Sequence, residues 1–319
     1  MAFFRKKKRQ RGDSFRQDQE RDRLLLGQMA ARQVRGIDSV SRLSDVEFTA
    51  FSQWGEDGIL EWIIHQIGDV PESFIEFGVE DYRESNTRFL LQNRNWRGLV
   101  IDGSTQNVEK IRTEAIYWRH DLTACDAFID RDNVNRLFEE AGFTGEIGLL
   151  SIDIDGNDYW IWEAITVVNP LIVVVETNAV FGDMAPVTVP YRDDFVRTNA
   201  HHSNLYYGAS PKALEHLAEQ KGYQPLGTNS VGSNAFFVRN DVAERIVPRI
   251  ADRAFHPSRV RESRDASGAL SFLSGPNRTK EIAHMEVVNV VSGKTAALSE
   301  FSPLFSAQWA NRLGYGSLK

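Results

Sequence analysis

The run Gly148-Leu149-Leu150-Ser151-Ile152-Asp153-Ile154-Asp155-Gly156-Asn157-Asp158-Tyr159-Trp160 passes from an apolar stretch into three carboxylates and a glycine. Leu171-Ile172-Val173-Val174-Val175-Glu176 repeats the pattern with a single acid. Leu, Ile and Val without polar alternation mark strands covered on both faces, as in the parallel sheets of α/β proteins. Ligands of such sheets sit beyond the carboxyl ends of the strands. Asp153, Asp155 and Glu176 are therefore expected where chemistry happens, in a cofactor-dependent enzyme.

A chain of 319 residues, 42% hydrophobic and 25% charged, can bury the core that such a sheet needs. The single cysteine, Cys125, excludes an intramolecular disulfide framework and a Cys-rich zinc site, and is read as structural. No apolar run approaches the ~20 residues of a membrane span, and the N-terminus lacks the apolar core of a secretion signal. A cytoplasmic protein is expected, peripheral at most to the inner membrane. Arg5, Lys6, Lys7, Lys8, Arg9 and Arg11 place +6 in the first twelve residues and leave −13 on the rest of a chain totalling −7. The acidic body is unsuited to nucleic acid. The basic tip predicts a disordered tail, either merely solvated or drawn weakly to an anionic membrane face.

Three parts follow: a basic tail and peripheral helical arm over 1–47, an α/β domain over 48–250, and a C-terminal extension over 251–319 that packs on it. Within the domain, Ser52 to Asp57 form the polar entrance of a helix with Ile59, Leu60, Ile63, Ile64 and Ile67 inward, and that entrance faces solvent or a ligand. Ser73 to Gly78 read as a strand running into a polar turn, and Ser85 is the expected cap of the next helix. This layout presents backbone N–H groups to a cofactor. The G-x-G-x-x-G fingerprint is absent, however, and carboxylates crowd where a pyrophosphate would need donors, which argues against NAD and FAD. Gly98 to Asp102 form a further strand. Glu76, Asp102 and Asp121, read as successive strand ends, suit ribose hydroxyls and an adenine amino group, hence a nucleoside without phosphates. Ser210-Pro211 opens a helix ending at Gly222, and strands at Tyr223 to Gly227 and Asn234 to Val238 complete the domain.

Several motifs are decoys. The acids from Asp153 to Asp158 lack the glycine and final Glu spacing of an EF-hand, with Ala164 at its twelfth position. Gly293-Lys294-Thr295 lacks the first glycine of a phosphate loop, which would fall at Val288. Asn277-Arg278-Thr279 is a glycosylation sequon without meaning in a cytoplasmic chain. Trp160 and Trp162 are read as core. The long segment from Thr177 to Tyr207 carries His201 and His202, and imidazole suits proton transfer at neutral pH, so His202 is the candidate general base.

The runs Ser52 to Gly58, Phe74 to Val79, Trp96 to Gly103, Leu149 to Tyr159, Tyr206 to Ser210 and Asn234 to Arg239 together resemble bacterial class I S-adenosylmethionine-dependent methyltransferases. Among these the chain is most similar to the FkbM-like and uncharacterised group associated with surface-polysaccharide and other glycan genes. The resemblance spans roughly residues 50 to 240. It implies a Rossmann-like fold, a mostly parallel seven-stranded sheet with helices on both faces and one antiparallel strand. It also implies S-adenosyl-L-methionine as cofactor. The methionine part would lie beside Glu76 and Gly78, the ribose on Asp102 and the adenine near Asp121, with Gln53, Glu56 and Asp153 completing the cofactor set. Where many relatives have a further glycine four residues after Gly78, this chain has Tyr82.

Some sugar and catechol O-methyltransferases of similar fold hold a divalent metal between the fourth and fifth strands. The matching positions are Asp153, Glu176 and Asn178, and their oxygens suit Mg²⁺ or another hard cation. Equally, Asp153 and Asp155 bind the cofactor and cap the next helix. The implied activity is O-methylation of a sugar or glycan hydroxyl, with Asp153 joining His202 at the reacting centre. The alternative is a non-catalytic scaffold of the same fold in a glycan-assembly or membrane-associated complex.

Overall fold

The computed structural model describes residues 2–314, with side chains from Asp18 onward. It opens with α1 (Ala2–Arg35), so the backbone expected as a disordered tail is helical instead. Within a helix, main-chain hydrogen bonds are satisfied locally whatever the side-chain charge. The basic side chains from Arg5 to Arg11, and with them the expected membrane contact, lie outside the described side chains. The second half of α1 is more than a peripheral arm. Gly27, Ala31 and Val34 are buried, and Arg35 pairs at 2.6 Å with the enclosed carboxylate of Glu61.

The chain continues through α2 (Glu56–Ile67), β1 (Ser73–Phe77), α3 (Arg88–Arg94), β2 (Arg97–Asp102), α4 (Thr105–Thr113), α5 (Ala115–Arg119), β3 (Leu122–Asp126), α6 (Val134–Glu140), β4 (Gly145–Ile152), α7 (Asp158–Ala164) and β5 (Val168–Glu176). Then come β6 (Val187–Thr188), α8 (Arg197–Ala200), α9 (Pro211–Lys221), β7 (Tyr223–Thr228) and β8 (Asn234–Arg239). The last stretch holds α10 (Pro276–Glu281), β9 (Glu286–Asn289), β10 (Thr295–Ala297) and α11 (Ala307–Arg312). No helix among the described residues is long and apolar enough to cross a membrane.

The main sheet has seven strands in the order β3-β2-β1-β4-β5-β8-β7. Strands β1 to β5 are parallel, β8 is antiparallel to β5, and β7 is antiparallel to β8, so β8 alone runs against the rest. This is the Rossmann-like arrangement the resemblance implies. The strands alternate as double-faced strands must: Leu149, Ile172 and Phe236 enter the core on one side, Leu150, Val173 and Phe237 the core on the other. Chain order reverses between β1 and β4, and at such a reversal the loops diverge and leave a crevice.

Two local expectations differ. Thr87 stands at the N-terminus of α3, and the Ser85 hydroxyl instead donates to Glu76 at 2.6 Å. Ser210 does cap α9, accepting Ala213 N–H, with Pro211 in the first turn and left-handed Gly222 at the end. The weakly patterned segment after β5 and the C-terminal extension also share structure. Strand β6 joins β9 and β10 in a second sheet, and Phe181, Val187, Leu205, Ile282, Val287 and Leu298 form a core of their own.

Candidate active site

The carboxyl ends of β1, β2, β4 and β5 open into a cavity of about 580 Å³. That lies within the usual range for small-molecule sites. Its floor is fixed by one glycine. Gly78 has φ +67°, and a Cβ there would stand 1.7 Å from the carbonyl oxygen of Asp153, so the turns after β1 and β4 meet backbone to backbone. A side chain would both strain the turn and push these two strand ends apart.

Around this floor the acids have distinct duties. The Glu76 carboxylate accepts from the Ser85 hydroxyl and from Asn86 N–H at 2.8 Å, which folds the 85–87 segment over the end of β1. Burial raises its pKa. Asp102, at the end of β2, accepts Glu80 N–H at 2.7 Å and Ser104 N–H at 2.9 Å, joining the turns after β1 and β2. Gln53 and Trp54 stand exposed at the rim, and Ile101, Phe128 and Ile129 make an apolar wall. Tyr82, four residues after Gly78, adopts φ +61° and is not among the residues that line the cavity. It is fully buried, with its hydroxyl 3.0 Å from Thr87 Oγ1, so it does not narrow the site.

After β4 the chain turns through Asp155 at φ +56°. Asp158 fixes this turn, accepting Ile154 N–H and Gly156 N–H, each at 2.9 Å. Asp153 and Glu176 then face each other across the strand ends, with carboxylate oxygens within 4.8 Å. Burial first, and the neighbouring carboxylates second, push both well above the usual carboxylate range. No donor among the described residues reaches the buried Oε2 of Glu176.

The loop after β5 closes this half of the cavity. Arg197 pairs with Asp155 at 2.5 Å, donates to the Asn204 carbonyl at 2.8 Å, and lies 3.8 Å over the ring of Tyr207. Burial disfavours its charge, but Tyr207, Glu176 and Asp155 hold the charge on. The C-terminal extension adds Ser258, Val260, Glu262 and Arg278 to the lining.

Four sequence expectations need correction. Asp121 precedes β3 and therefore lies at the amino edge of the sheet, exposed, with Arg97 3.8 Å away; the chain end that nears the cavity is Ala127 to Ile129. Glu56 is a buried strut whose Oε1 accepts from the side-chain amides of Asn229 at 2.7 Å and Asn234 at 2.8 Å, and it does not line the cavity. Asn178 is likewise committed to structure. Its amide donates to the Leu205 and Tyr207 carbonyls, both at 2.9 Å, and its oxygen accepts Val180 N–H, so Asp158 replaces it beside Asp153 and Glu176. His202 is exposed outside the cavity, 3.1 Å from Glu281, and is misplaced for a general base. Trp54 lies in the Ser52 to Asp57 entrance expected to face solvent or a ligand, whereas Arg197, Phe128 and Arg278 lie in segments without periodicity and carry no such expectation. For Arg197 the signal is the unusual length of the loop that carries it.

No protein-family model matches the chain, and no curated protein does. Among solved structures it is similar to the N-terminal domain of EvdMO1 with SAH bound, at 12% identity over 66% of this chain and 93% of that one, TM-score 0.39. It is also similar to the O-methyltransferase from Bacillus cereus in complex with SAH, at 14% identity over 66% and 88%, TM-score 0.38. A third is an S-adenosylmethionine-dependent methyltransferase from Clostridium acetobutylicum ATCC 824, at 12% identity over 58% and 90%, TM-score 0.36. Likenesses this distant say nothing by themselves about activity, and the fold stands on its own strand order.

Proposed function

We propose that the protein transfers a methyl group from S-adenosyl-L-methionine to a hydroxyl of a sugar or glycan. The observation that carries this reading is the division of one cavity into two chemically different halves at the switch between β1 and β4. One half has the Gly78 floor, the acceptors Glu76 and Asp102, and the apolar wall at Ile101 and Phe128, which suits a nucleoside bearing a short charged tail. The other combines Asp153, Asp155, Glu176, Asn86, Arg197, Glu262 and Arg278, a set rich in partners for hydroxyls. The burial of Tyr82 beside Thr87 supports cofactor binding over a scaffold of the same fold without cofactor.

When bound, the cofactor supplies an electrophilic methyl. The protein's part is to hold an acceptor oxygen in line with it and to take the hydroxyl proton. Asp153 is placed to take that proton, because its raised pKa makes it a stronger base than an ordinary aspartate and Glu176 holds its orientation. Arg197, fixed between Asp155 and Tyr207, positions the acceptor and closes that half to water. Asp153, Asp158 and Glu176 offer oxygens within 4.8 Å of one another, so the same group fits a hard divalent cation, which would lower the pKa of an acceptor hydroxyl.

Calorimetry with S-adenosylmethionine and S-adenosylhomocysteine tests the central claim. Binding of both is expected, and binding of neither at millimolar concentration rejects it. Chelation decides the role of the carboxylates: if a cation is needed, EDTA abolishes transfer and leaves cofactor binding intact.

A further inference from the structure

The residues expected to supply the base have a different neighbourhood. Adjacent residues in extended chain point to opposite sides. Here Asn204, at φ +58°, closes a turn in which its N–H reaches the His201 carbonyl at 3.1 Å, and the rings of His201 and His202 lie on one side, 4.3 Å apart. Glu281, at the end of α10, brings its carboxylate 3.1 Å from His202 Nε2, and the His284 ring stands 5.7 Å from that of His201. One ligand atom each from His201, His202 and Glu281 fall within 4.8 Å of one another.

We propose that His201, His202 and Glu281, with His284 beside them, bind a borderline divalent transition-metal ion such as Zn²⁺, and that this ion pins the loop over the cavity to the C-terminal extension. The donor set decides the class of ion. Two imidazoles and one carboxylate suit Zn²⁺, Co²⁺ or Ni²⁺, whereas the all-oxygen group at Asp153 suits Mg²⁺. Bonds of about 2.0 Å in a tetrahedral site put ligand atoms roughly 3.3 Å apart, so side-chain rotation alone completes the site. Ser203 orients the ring, with its Oγ 2.7 Å and its backbone N 3.2 Å from His201 Nδ1, so Nε2 is the nitrogen left for the ion and gives up its proton when the ion binds.

The consequence is mechanical. His201 lies four residues from Arg197 and six from Tyr207, while Glu281 lies three residues from Arg278, and all three of these neighbours line the cavity. An ion between them joins two lining segments that come from distant parts of the chain. This site is independent of the methyl-transfer reading.

The test uses the full chain without a histidine tag, stripped of metal. Equilibrium dialysis with Zn²⁺ and visible absorption with Co²⁺ are expected to show one ion per chain. His202→Ala and Glu281→Gln should each weaken binding at least tenfold, while Asp153→Asn retains it; loss of the same ion in Asp153→Asn with no change in His202→Ala overturns the assignment, as does binding of less than one ion per chain. Hydrogen exchange is expected to slow across residues 195–207 on adding Zn²⁺ to the wild type and to remain unchanged in His202→Ala. Stoichiometric binding without that protection overturns the clamp.

Discussion

At the scale of single residues, position within the cavity separates groups that look equivalent in sequence. Asp153 lies on the floor with its pKa raised by burial and by neighbouring acids, whereas His202 stands outside. Asp153→Asn is therefore expected to lower turnover by about 10²- to 10⁴-fold while leaving S-adenosylmethionine affinity nearly unchanged. It should also remove the fall in rate on the acid side, because the wild-type base is lost as pH drops through its raised pKa. His202→Ala, assayed beside it without added Zn²⁺, should match the turnover of the wild type under the same conditions. Gly78→Ala tests the floor itself. With the Asp153 carbonyl 1.7 Å from the new Cβ, no side chain can move aside, and both cofactor binding and thermal stability should fall together. A variant that binds normally would show that the two strand ends can separate freely.

At the scale of elements, several polar side chains tie the pieces of the site together without touching its contents. Glu56 joins the entrance of α2 to the turn between β7 and β8 through the amides of Asn229 and Asn234. In Glu56→Ala the Asn229 amide keeps Ser233 Oγ at 2.9 Å but the Asn234 amide loses its acceptor, at a cost of about 1–3 kcal/mol. Denaturant unfolding should show that loss while cofactor affinity, measured under conditions where the variant is folded, stays close to wild type. A large drop in affinity at unchanged stability would return Glu56 to the cofactor site. Asn178 does similar work for the loop after β5, holding the Leu205 and Tyr207 carbonyls and so setting where Arg197 and Tyr207 meet.

At the scale of the whole molecule, the acidic cavity makes stability depend on pH in a direction opposite to that of a protein held by surface ion pairs. Asp153 and Glu176 have folded pKa values raised well above their ordinary 3.8 and 4.5. The folded state therefore holds these protons more tightly than the unfolded chain. Their contribution is fully present below those ordinary values and is lost as pH rises through the folded ones. Urea unfolding of the cation-free protein from pH 5 to 8 should show this decline, and Glu176→Gln should flatten it. An equal slope in both proteins would assign the dependence to other groups.

The strands were legible because double-faced burial demands unbroken Ile, Leu and Val, and Gly148 to Ile152 and Leu171 to Glu176 meet that demand without help from distant residues. Acids directly following such strands were equally legible, and Glu76, Asp102, Asp153 and Glu176 do stand around the cavity. Asp121 was misread because a charged residue flanks either end of a short strand alike, and only the pairing of Leu122 with Gly98 shows at which edge it lies. Glu56 and Asn178 could be told from ligands only by finding Asn229, Asn234, Leu205 and Tyr207 at their polar atoms. The same holds for Arg197, whose partners Asp155 and Tyr207 come from different loops. Periodicity is a local property of the chain and fixes which residues are buried in strands and helices. The direction of a polar side chain is set by partners far along the chain, so its role is decided only when tertiary packing brings them together.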